Sequence, residues 1–252
     1  MRALPALPGG VEIITLDSVT STNDEIRRLA DGGATGPLWV RAVTQTKGRG
    51  RRGRSWLSEP GNLFMTGLLT LDCKPAEAAN LSFLTALAVA EAIDHFVKPS
   101  QIQLKWPNDV LIQGCKTSGI LLESWTSAQG LQVAIGIGIN VVTMPDNIEQ
   151  KITCIAHHAA PDKGICDAAT LFILVVWHFH DWLAIWREQG FAPIRTAWLS
   201  RAKGLGQPIT ARLPHETIEG VFQGLAQDGA LELVLADGTM RLVTAGDVFY
   251  TV

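Results

Sequence analysis

The sequence lacks three features that would each indicate a class of protein. It has no surplus of basic charge, because 21 lysines and arginines face 24 aspartates and glutamates, which argues against a general nucleic-acid-binding protein. It has no CxxC spacing, so its four cysteines are expected to be reduced thiols. Its apolar runs at 81–96 and 171–186 are interrupted by charged residues and histidines, so we expect buried helices rather than membrane spans.

The N-terminus also lacks the marks of an exported protein. Its first ten residues, MRALPALPGG, contain two prolines and no apolar core of the length that a signal peptide needs. Together with the unpaired cysteines, this predicts a cytoplasmic protein that does not bind a membrane.

What the sequence does have is enough apolar material for a large core. Of its 252 residues, 47% are hydrophobic and 18% are charged, a composition more apolar than that of disordered chains. The length suits one large domain, or one large and one small domain.

Two regions differ in pattern. Up to residue 204, strand-like and helix-like segments are mixed; helices are predicted from Thr22 to before Gly32 and over 76–96, 169–190 and 194–203. Beyond it come short strand-like runs with Asp-Gly turns at 228–229 and 237–238. We therefore predict an α+β fold with a mixed β-sheet and packed helices over 1–204, and a small β module over 205–252.

The segment KGRGRRGRSW, residues 47–56, concentrates five of the basic side chains within eight positions. Alternating glycines make a mobile backbone, and guanidinium groups are fork-shaped donors suited to anions. Three hypotheses stay open at this point: an RNA-binding or targeting run, a plain solvated loop, or a loop that closes over a nucleoside triphosphate. Local basic charge in an acidic chain favours the third, as does Trp56, whose indole could stack on a purine.

Two further motifs carry polar or glycine residues at strand ends. KWPND, residues 105–109, offers a cation, an amide and a carboxylate; Asp109 could hold Mg²⁺ against phosphates, although an ordinary Asn-Asp turn has the same pattern. GIGIN, residues 136–140, places two glycines in an apolar strand, which suggests a close approach by a ligand or by another part of the chain.

Together with two other motifs, these segments resemble a known family. STN (21–23), QxxGRGRRGRxW (45–56), KWPND (105–109), KxxGILLE (116–123) and GIGIN (136–140) occur in the order typical of bacterial biotin protein ligases. The resemblance implies a class II synthetase-like biotin/lipoate ligase catalytic domain, followed by a small SH3-like β-barrel. It also implies the activity of a biotin–[acetyl-CoA-carboxylase] ligase. Such an enzyme activates biotin with MgATP to biotinyl-5′-AMP and transfers biotin to a lysine of a biotin carboxyl carrier protein.

The resemblance also implies roles for individual residues. Arg51 and Lys116 match catalytic positions, and Asp109 matches a possible Mg²⁺ ligand. The biotin-binding positions are Ser21, Thr22, Asn23, Gln45, Gly48, Arg49, Gly50, Arg51, Lys116, Gly119, Gly136 and Gly138. The ATP-binding positions are Arg49, Arg51, Arg54, Trp56, Lys105, Asn108, Asp109 and Asn140. Thr22 has an alternative role as a helix cap, because Glu25 follows it at capping-box spacing.

Other functions remain as alternatives. A lipoate–protein ligase shares the expected fold and chemistry, and a non-catalytic RNA-binding protein could use the Gly/Arg loop. Some biotin protein ligases carry an N-terminal DNA-binding domain, but only about ten residues precede the first predicted strand here. DNA binding is therefore not expected. An exposed sheet could support a homodimer, although no residue in the sequence identifies one.

Overall fold

A computed structural model of the chain describes residues 4–145 and 151–250. Seven strands form one sheet and five form a second. The strands of the first sheet are β1 (Glu12–Val19), β2 (Leu38–Gln45), β3 (Leu63–Leu71), β4 (Ile102–Lys105), β5 (Asp109–Ile112), β6 (Cys115–Ser127) and β7 (Gly130–Ile139). The helices are α1 (Thr22–Asp31), α2 (Pro75–Ala78), α3 (Leu81–Asp94), α4 (Ala168–Gln189) and α5 (Phe191–Ser200).

The first sheet is mixed, as predicted. Its strand order is β1-β2-β3-β7-β6-β5-β4; β1 and β2 are parallel, and every other neighbouring pair is antiparallel. The long strands β3, β7 and β6 lie in the middle. Residues of the STN, GILLE and GIGIN motifs are thereby carried on, or beside, three adjacent central strands.

Helices cover both faces of this sheet. Successive residues of β2 point to opposite faces: Leu38 and Val40 pack with Ile26 of α1, whereas Trp39 belongs to the large cluster that includes α3 and α4. By length and composition alone, residues 75–94 and helix α4 would be able to cross a membrane. In this fold, α3 packs on β6 and on α4, and α4 also packs on β3.

The helix predicted over 76–96 is interrupted, which corrects that expectation. The short helix α2 ends at Ala78, and α3 begins at Leu81. Between them, the amide of Asn80 donates to the carbonyl of Glu77, and Ser82 donates to Ala79, so these hydrogen bonds span three residues instead of four. The α-helical hydrogen-bond ladder is therefore broken at this point, although the segment stays helical on both sides.

The C-terminal region forms the second sheet, as the Asp-Gly turns predict. Its strands are β8 (Pro208–Arg212), β9 (Thr217–Leu225), β10 (Leu231–Val234), β11 (Met240–Val243) and β12 (Asp247–Tyr250), ordered β11-β10-β9-β8-β12. Trp106, in the turn between β4 and β5, donates its indole N–H to the carbonyl of Gly229, 3.1 Å away. One continuous hydrophobic cluster includes residues of both sheets, so the second sheet is held against the turn that carries Asn108 and Asp109.

Candidate active site

A single cavity brings together most of the residues that the motifs predict. It lies between the middle of the first sheet, the segment 49–57 and the start of β12. All predicted site residues line it except Gly48 and Lys105. The predicted residues that line it are Ser21, Thr22, Asn23, Gln45, Arg49, Gly50, Arg51, Arg54, Trp56, Asn108, Asp109, Lys116, Gly119, Gly136, Gly138 and Asn140.

One end of the cavity is lined by the neutral polar side chains of Thr22, Asn23 and Gln45, which belong to a wider hydrogen-bond network. The hydroxyl of Thr22 donates to Oε1 of Gln45 at 3.1 Å, and the backbone N–H of Thr22 donates to the same oxygen at 2.8 Å. The hydroxyl of Thr66, which is fully buried on β3, lies 2.7 Å from both Thr22 Oγ1 and Asn23 Oδ1. Asn23 in turn donates from Nδ2 to Glu123, 2.6 Å away. These side chains are held in fixed orientations before any ligand arrives.

Thr22 is free for this network because it does not cap helix α1. The N-cap is Ser21, whose hydroxyl oxygen accepts from the backbone N–H of Asn23 at 3.2 Å. The alternative role of Thr22 as the cap is therefore wrong. The helix begins one residue earlier than the capping-box spacing suggests, and this places Thr22 and Asn23 in its first, buried turn.

The basic loop folds over the cavity as a compact turn. Gly50 donates to the carbonyl of Arg54, and Arg49 and Ser55 form an isolated antiparallel bridge. Arg52 at φ 56° and Gly53 at φ 71° occupy the left-handed region that reverses the chain. Gly48 does not line the cavity; a Cβ there would lie 2.5 Å from the carbonyl oxygen of Trp56, so the strand end and loop approach too closely for a side chain.

The arginines of this loop differ in their partners. Arg49 pairs with Asp24 at 2.7 Å, while Arg52 and Arg54 pair with Asp247 at 3.1 and 2.8 Å. Arg51 instead donates to Oδ1 of Asn108 at 3.1 Å, and within the described residues no carboxylate lies at ion-pair distance from it. Burial lowers the pKa of the Arg51 guanidinium, which still stays protonated at neutral pH. Arg51 is thus the arginine of this loop whose charge faces the cavity without a carboxylate partner.

The indole ring of Trp56 packs directly against the backbone of two glycines. Gly119 and Gly138 are a cross-strand pair on β6 and β7, and a Cβ at Gly138 would lie 2.5 Å from the indole of Trp56. A Cβ at Gly119 would lie 3.0 Å from it. The indole Nε1 is buried and has no hydrogen-bond partner within the described residues. The close approach that the glycines of GIGIN suggest is therefore made here by an aromatic ring of the loop, and at Gly136 by the side chain of Asn23, 2.3 Å from a Cβ position.

A second group of polar residues lies across the cavity from Gln45. Lys116 forms an ion pair with Asp109 at 2.7 Å, and both side chains are largely buried. Asn108 donates from Nδ2 to the carbonyl of Ile120, and Asn140 donates to the carbonyl of Thr153. Lys105 lies outside the cavity, with its ammonium 5.7 Å from the ring of Phe249. Burial lowers the pKa of Lys105.

No role is predicted for Thr66, Glu123 or Asp247, which contact predicted site residues. Thr66 and Glu123 complete the polar network. Asp247, which lies in the second sheet, binds two arginines of the basic loop. Glu123 ends the GILLE motif and lies inside the long strand β6, so the sequence does mark it by a charge that directly follows an apolar run. Thr66 lies in an apolar strand, and Asp247 is about 190 residues from the loop that it contacts, so no local pattern marks either. Within residues 4–145 and 151–250, no three His, Cys, Asp or Glu side chains cluster as they would in a site where protein side chains alone hold a metal.

Comparisons with known proteins show the family to which the chain is similar. Residues 16–140 match the biotin/lipoate A/B protein ligase family, and residues 204–250 match the biotin protein ligase C terminal domain. The chain is 40% identical to a biotin–[acetyl-CoA-carboxylase] ligase of Paracoccus denitrificans, over 91% of this chain and 97% of that one. It is 34% identical to the bifunctional ligase/repressor BirA of Bacillus subtilis, over 94% of this chain and 73% of that one.

A solved structure shows the same architecture. The biotin protein ligase from Aquifex aeolicus, in complex with biotin and ATP, superposes with a TM-score of 0.78 at 27% identity, over 95% of this chain and 99% of that one. The predicted fold class is confirmed: a mixed sheet with packed helices, followed by a small SH3-like C-terminal sheet.

Proposed function

The chain belongs to the biotin protein ligase family, and from this we propose that its cavity makes biotinyl-5′-AMP and passes biotin to a protein. A carboxylate oxygen of biotin attacks the α-phosphorus of ATP, and the bond from that phosphorus to the departing pyrophosphate breaks. A lysine amine then attacks the biotinyl carbonyl, loses a proton, and AMP leaves with the oxygen that had joined it to the acyl group.

The observation that carries this proposal is that one cavity holds both a set of uncharged hydrogen-bonding side chains and an arginine, Arg51, that has no carboxylate partner among the described residues. The uncharged ureido ring of biotin needs a few directed hydrogen bonds in apolar surroundings. Thr22, Asn23 and Gln45 offer them; Thr66 and Glu123 fix the orientations of Thr22 and Asn23, and Ser58 accepts from Nε2 of Gln45. The carboxylate of biotin would then point toward Arg51 and Lys116.

The loop suits the joining of two anions. Biotin carboxylate and ATP phosphates repel each other, and a guanidinium fixed between them lowers that repulsion most where charge builds up. Arg51 can do this without first breaking a carboxylate pair. A loop folded over the cavity also keeps water from the mixed anhydride.

The nucleotide is assigned to the side of the cavity that holds Trp56, Asn108 and Asn140. The indole offers a face for adenine, and base–aromatic stacking is worth about 1–3 kcal/mol. We assign Lys105 no direct contact with ATP, because its ammonium lies against the second sheet.

Asp109 is the residue that would hold Mg²⁺. Protein Mg²⁺ sites beside a nucleotide commonly use one or two carboxylates together with phosphate oxygens and water. Asp109 fits this use: it lines the cavity, and its ion pair with Lys116 is made through one oxygen, Oδ1. Bound there, the metal would neutralise phosphate charge.

We further propose that the acceptor is a biotin carboxyl carrier protein, in line with the name of the Paracoccus relative. Two observations weigh against the alternatives. Most of the loop's guanidinium charge is already paired within the protein, which leaves little for RNA. The Paracoccus relative and the Aquifex structure are named for biotin rather than lipoate. A cytoplasmic location, a homodimer and the absence of DNA or membrane binding stay predictions.

The decisive experiment measures pyrophosphate release from the purified protein with ATP and biotin, ATP and lipoate, or ATP alone. We expect release only with biotin, followed by a mass increase of the acceptor domain when that domain is added. Release with lipoate at an equal rate would favour the lipoate ligase instead. Salt-sensitive RNA binding without biotin-dependent release would favour the RNA-binding protein.

A further inference from the structure

The second sheet reaches into the cavity through one carboxylate. Asp247, the first residue of β12, accepts from Nη1 of Arg52 through Oδ2 at 3.1 Å. It also accepts from Nη2 of Arg54 through both oxygens, at 2.9 and 2.8 Å. Beside it, the carbonyl of Gly246 lies 3.5 Å from Nη2 of Arg51. Three consecutive cations of the loop thus converge on two residues of the C-terminal sheet.

This contact is stronger than an ordinary surface ion pair. The side chain of Asp247 is only 26% exposed and lines the cavity. Burial of this carboxylate acts to raise its pKa, but the hydrogen bond and charge of Arg54, with the charge of Arg52, outweigh that effect and leave the pKa lowered. Asp247 is therefore ionised at neutral pH and binds two guanidinium groups at once.

The loop is held at both ends. At its start, Arg49 pairs with Asp24 on α1, and at 3.6 Å with Glu123 on β6. At its far end, Arg52 and Arg54 pair with Asp247. Between these two anchors, Arg51 points to Asn108. Gly48, Gly50 and Gly53 alternate with the basic residues and allow the loop backbone many conformations, so the anchors decide where the Arg51 guanidinium lies.

We propose that Asp247 is a positioning residue of the ligase: by binding Arg52 and Arg54 it holds the basic loop over the cavity and directs Arg51 at the reacting anions. The proposal gives the C-terminal sheet a specific part in the reaction. The effect expected on the retention of biotinyl-AMP rests on the proposed function. The effect expected on the position of the loop does not.

The first measurement needs no ligand and no activity. Trypsin cleaves after lysine and arginine, and the loop contains five such bonds that a closed, hydrogen-bonded turn protects. Asp247→Asn keeps the shape of the side chain but removes its charge. We expect cleavage within residues 47–54, mapped by mass spectrometry, to become about threefold to tenfold faster. Asp247→Glu, which keeps the charge, should restore most of the protection.

The matched control is Glu216→Gln. Glu216, in the turn between β8 and β9, forms an exposed ion pair with Arg241 of β11 at 2.8 Å, so this change removes one carboxylate and one ion pair that do not involve the basic loop. Its cleavage rate and melting temperature should equal those of the parent. Asp247→Asn should also melt close to the parent, which separates an opened loop from an unfolded chain.

The second measurement is release of biotinyl-AMP from the loaded enzyme. Asp247→Asn should release it faster and raise the KM for ATP more than it lowers kcat. Loop cleavage and adenylate release that both match the parent within about twofold would overturn the proposal. If Asp247→Asn does not fold, Arg52→Gln takes its place, because Arg52 lies outside the cavity and its side chain contacts Asp247. Faster tryptic cleavage at the other basic residues of the loop would support the proposal. An unchanged cleavage rate would overturn it. If the parent makes no biotinyl-AMP, the proposed function fails, while the cleavage rates still decide the loop.

Discussion

Nζ of Lys116 lies 2.7 Å from Oδ1 of Asp109, on neighbouring strands of the central sheet. The two side chains are 17% and 12% exposed, so the pair is shielded from water. It neutralises the carboxylate and the ammonium until anionic substrates enter. A phosphate or carboxylate that enters the cavity can replace Asp109 as the partner of Lys116, and Asp109 is then free to bind a cation.

This relationship makes the proposed Mg²⁺ role of Asp109 testable. Asp109→Asn should raise the Mg²⁺ concentration needed for half-maximal pyrophosphate release, because the amide is a weaker ligand for a hard cation. The measurement is a Mg²⁺ titration at saturating biotin and ATP. Lys116→Met is the comparison, since it breaks the same ion pair but keeps the carboxylate. An equal Mg²⁺ requirement in Asp109→Asn and parent would leave Asp109 as a partner of Lys116 alone.

Arg51→Gln should speed the release of biotinyl-AMP while changing biotin binding little. In the proposed function, the Arg51 guanidinium faces charge that forms in the reaction, whereas the ureido ring would bind at Thr22 and Gln45. Release is followed by rapid dilution of the loaded enzyme, and biotin affinity by calorimetry. Lys47→Gln is the matched control: it removes one positive charge from the same loop, outside the cavity. Equal effects of the two changes would indicate that the loop acts by charge alone.

Trp56→Ala should raise the KM for ATP by about tenfold, as expected from the loss of base stacking. Trp56→Phe keeps an aromatic plane and should raise it less. Steady-state kinetics with ATP varied at saturating biotin gives both values. A KM for ATP that stays unchanged in Trp56→Ala would indicate that the indole only packs on the glycines below it.

Gly138→Ala should displace the indole, because a Cβ there would lie 2.5 Å from Cε2 of Trp56. We expect a higher KM for ATP than the parent. The control is the same change in the Trp56→Ala background, where no indole is present to collide with. There the added methyl group should have little further effect, and a full additional effect would place the close contact elsewhere.

The sequence predicts the parts of this site that lie within short motifs. The Asp-Gly turns, the first helix and the central glycine strand each follow from local chemistry, and the structure contains them, although the first helix is capped by Ser21 and not by Thr22. Contacts between distant segments do not follow in this way. Asp247 meets Arg52 because two sheets dock through Trp106, and Thr66 reaches Thr22 because helix α1 packs on β3. Both contacts depend on how distant segments pack, which local sequence patterns do not encode. The break at Asn80 was missed because alanine and leucine favour a helix on both sides of it.

Thr66→Val tests one of these distant contacts, with stability and binding as separate measurements. Thr66 is fully buried, and its hydroxyl bridges Thr22 and Asn23 at 2.7 Å each. Valine has nearly the same shape, so the change leaves the buried oxygen of Asn23 without this donor. Such an unsatisfied group costs about 1–3 kcal/mol, and we expect the free energy of unfolding in urea to fall by that amount.

The KM for biotin should rise in the same variant, because Thr22 and Asn23 lose the group that fixes their orientation, while the KM for ATP should not change. Thr66→Ser retains the hydroxyl and should retain most of the biotin affinity. Thr44→Val, which removes a hydroxyl that donates to the carbonyl of Asp17 near the surface of β2, is the matched control and should change neither KM. A loss of stability in Thr66→Val with both KM values unchanged would make Thr66 a part of the core and not of the biotin pocket.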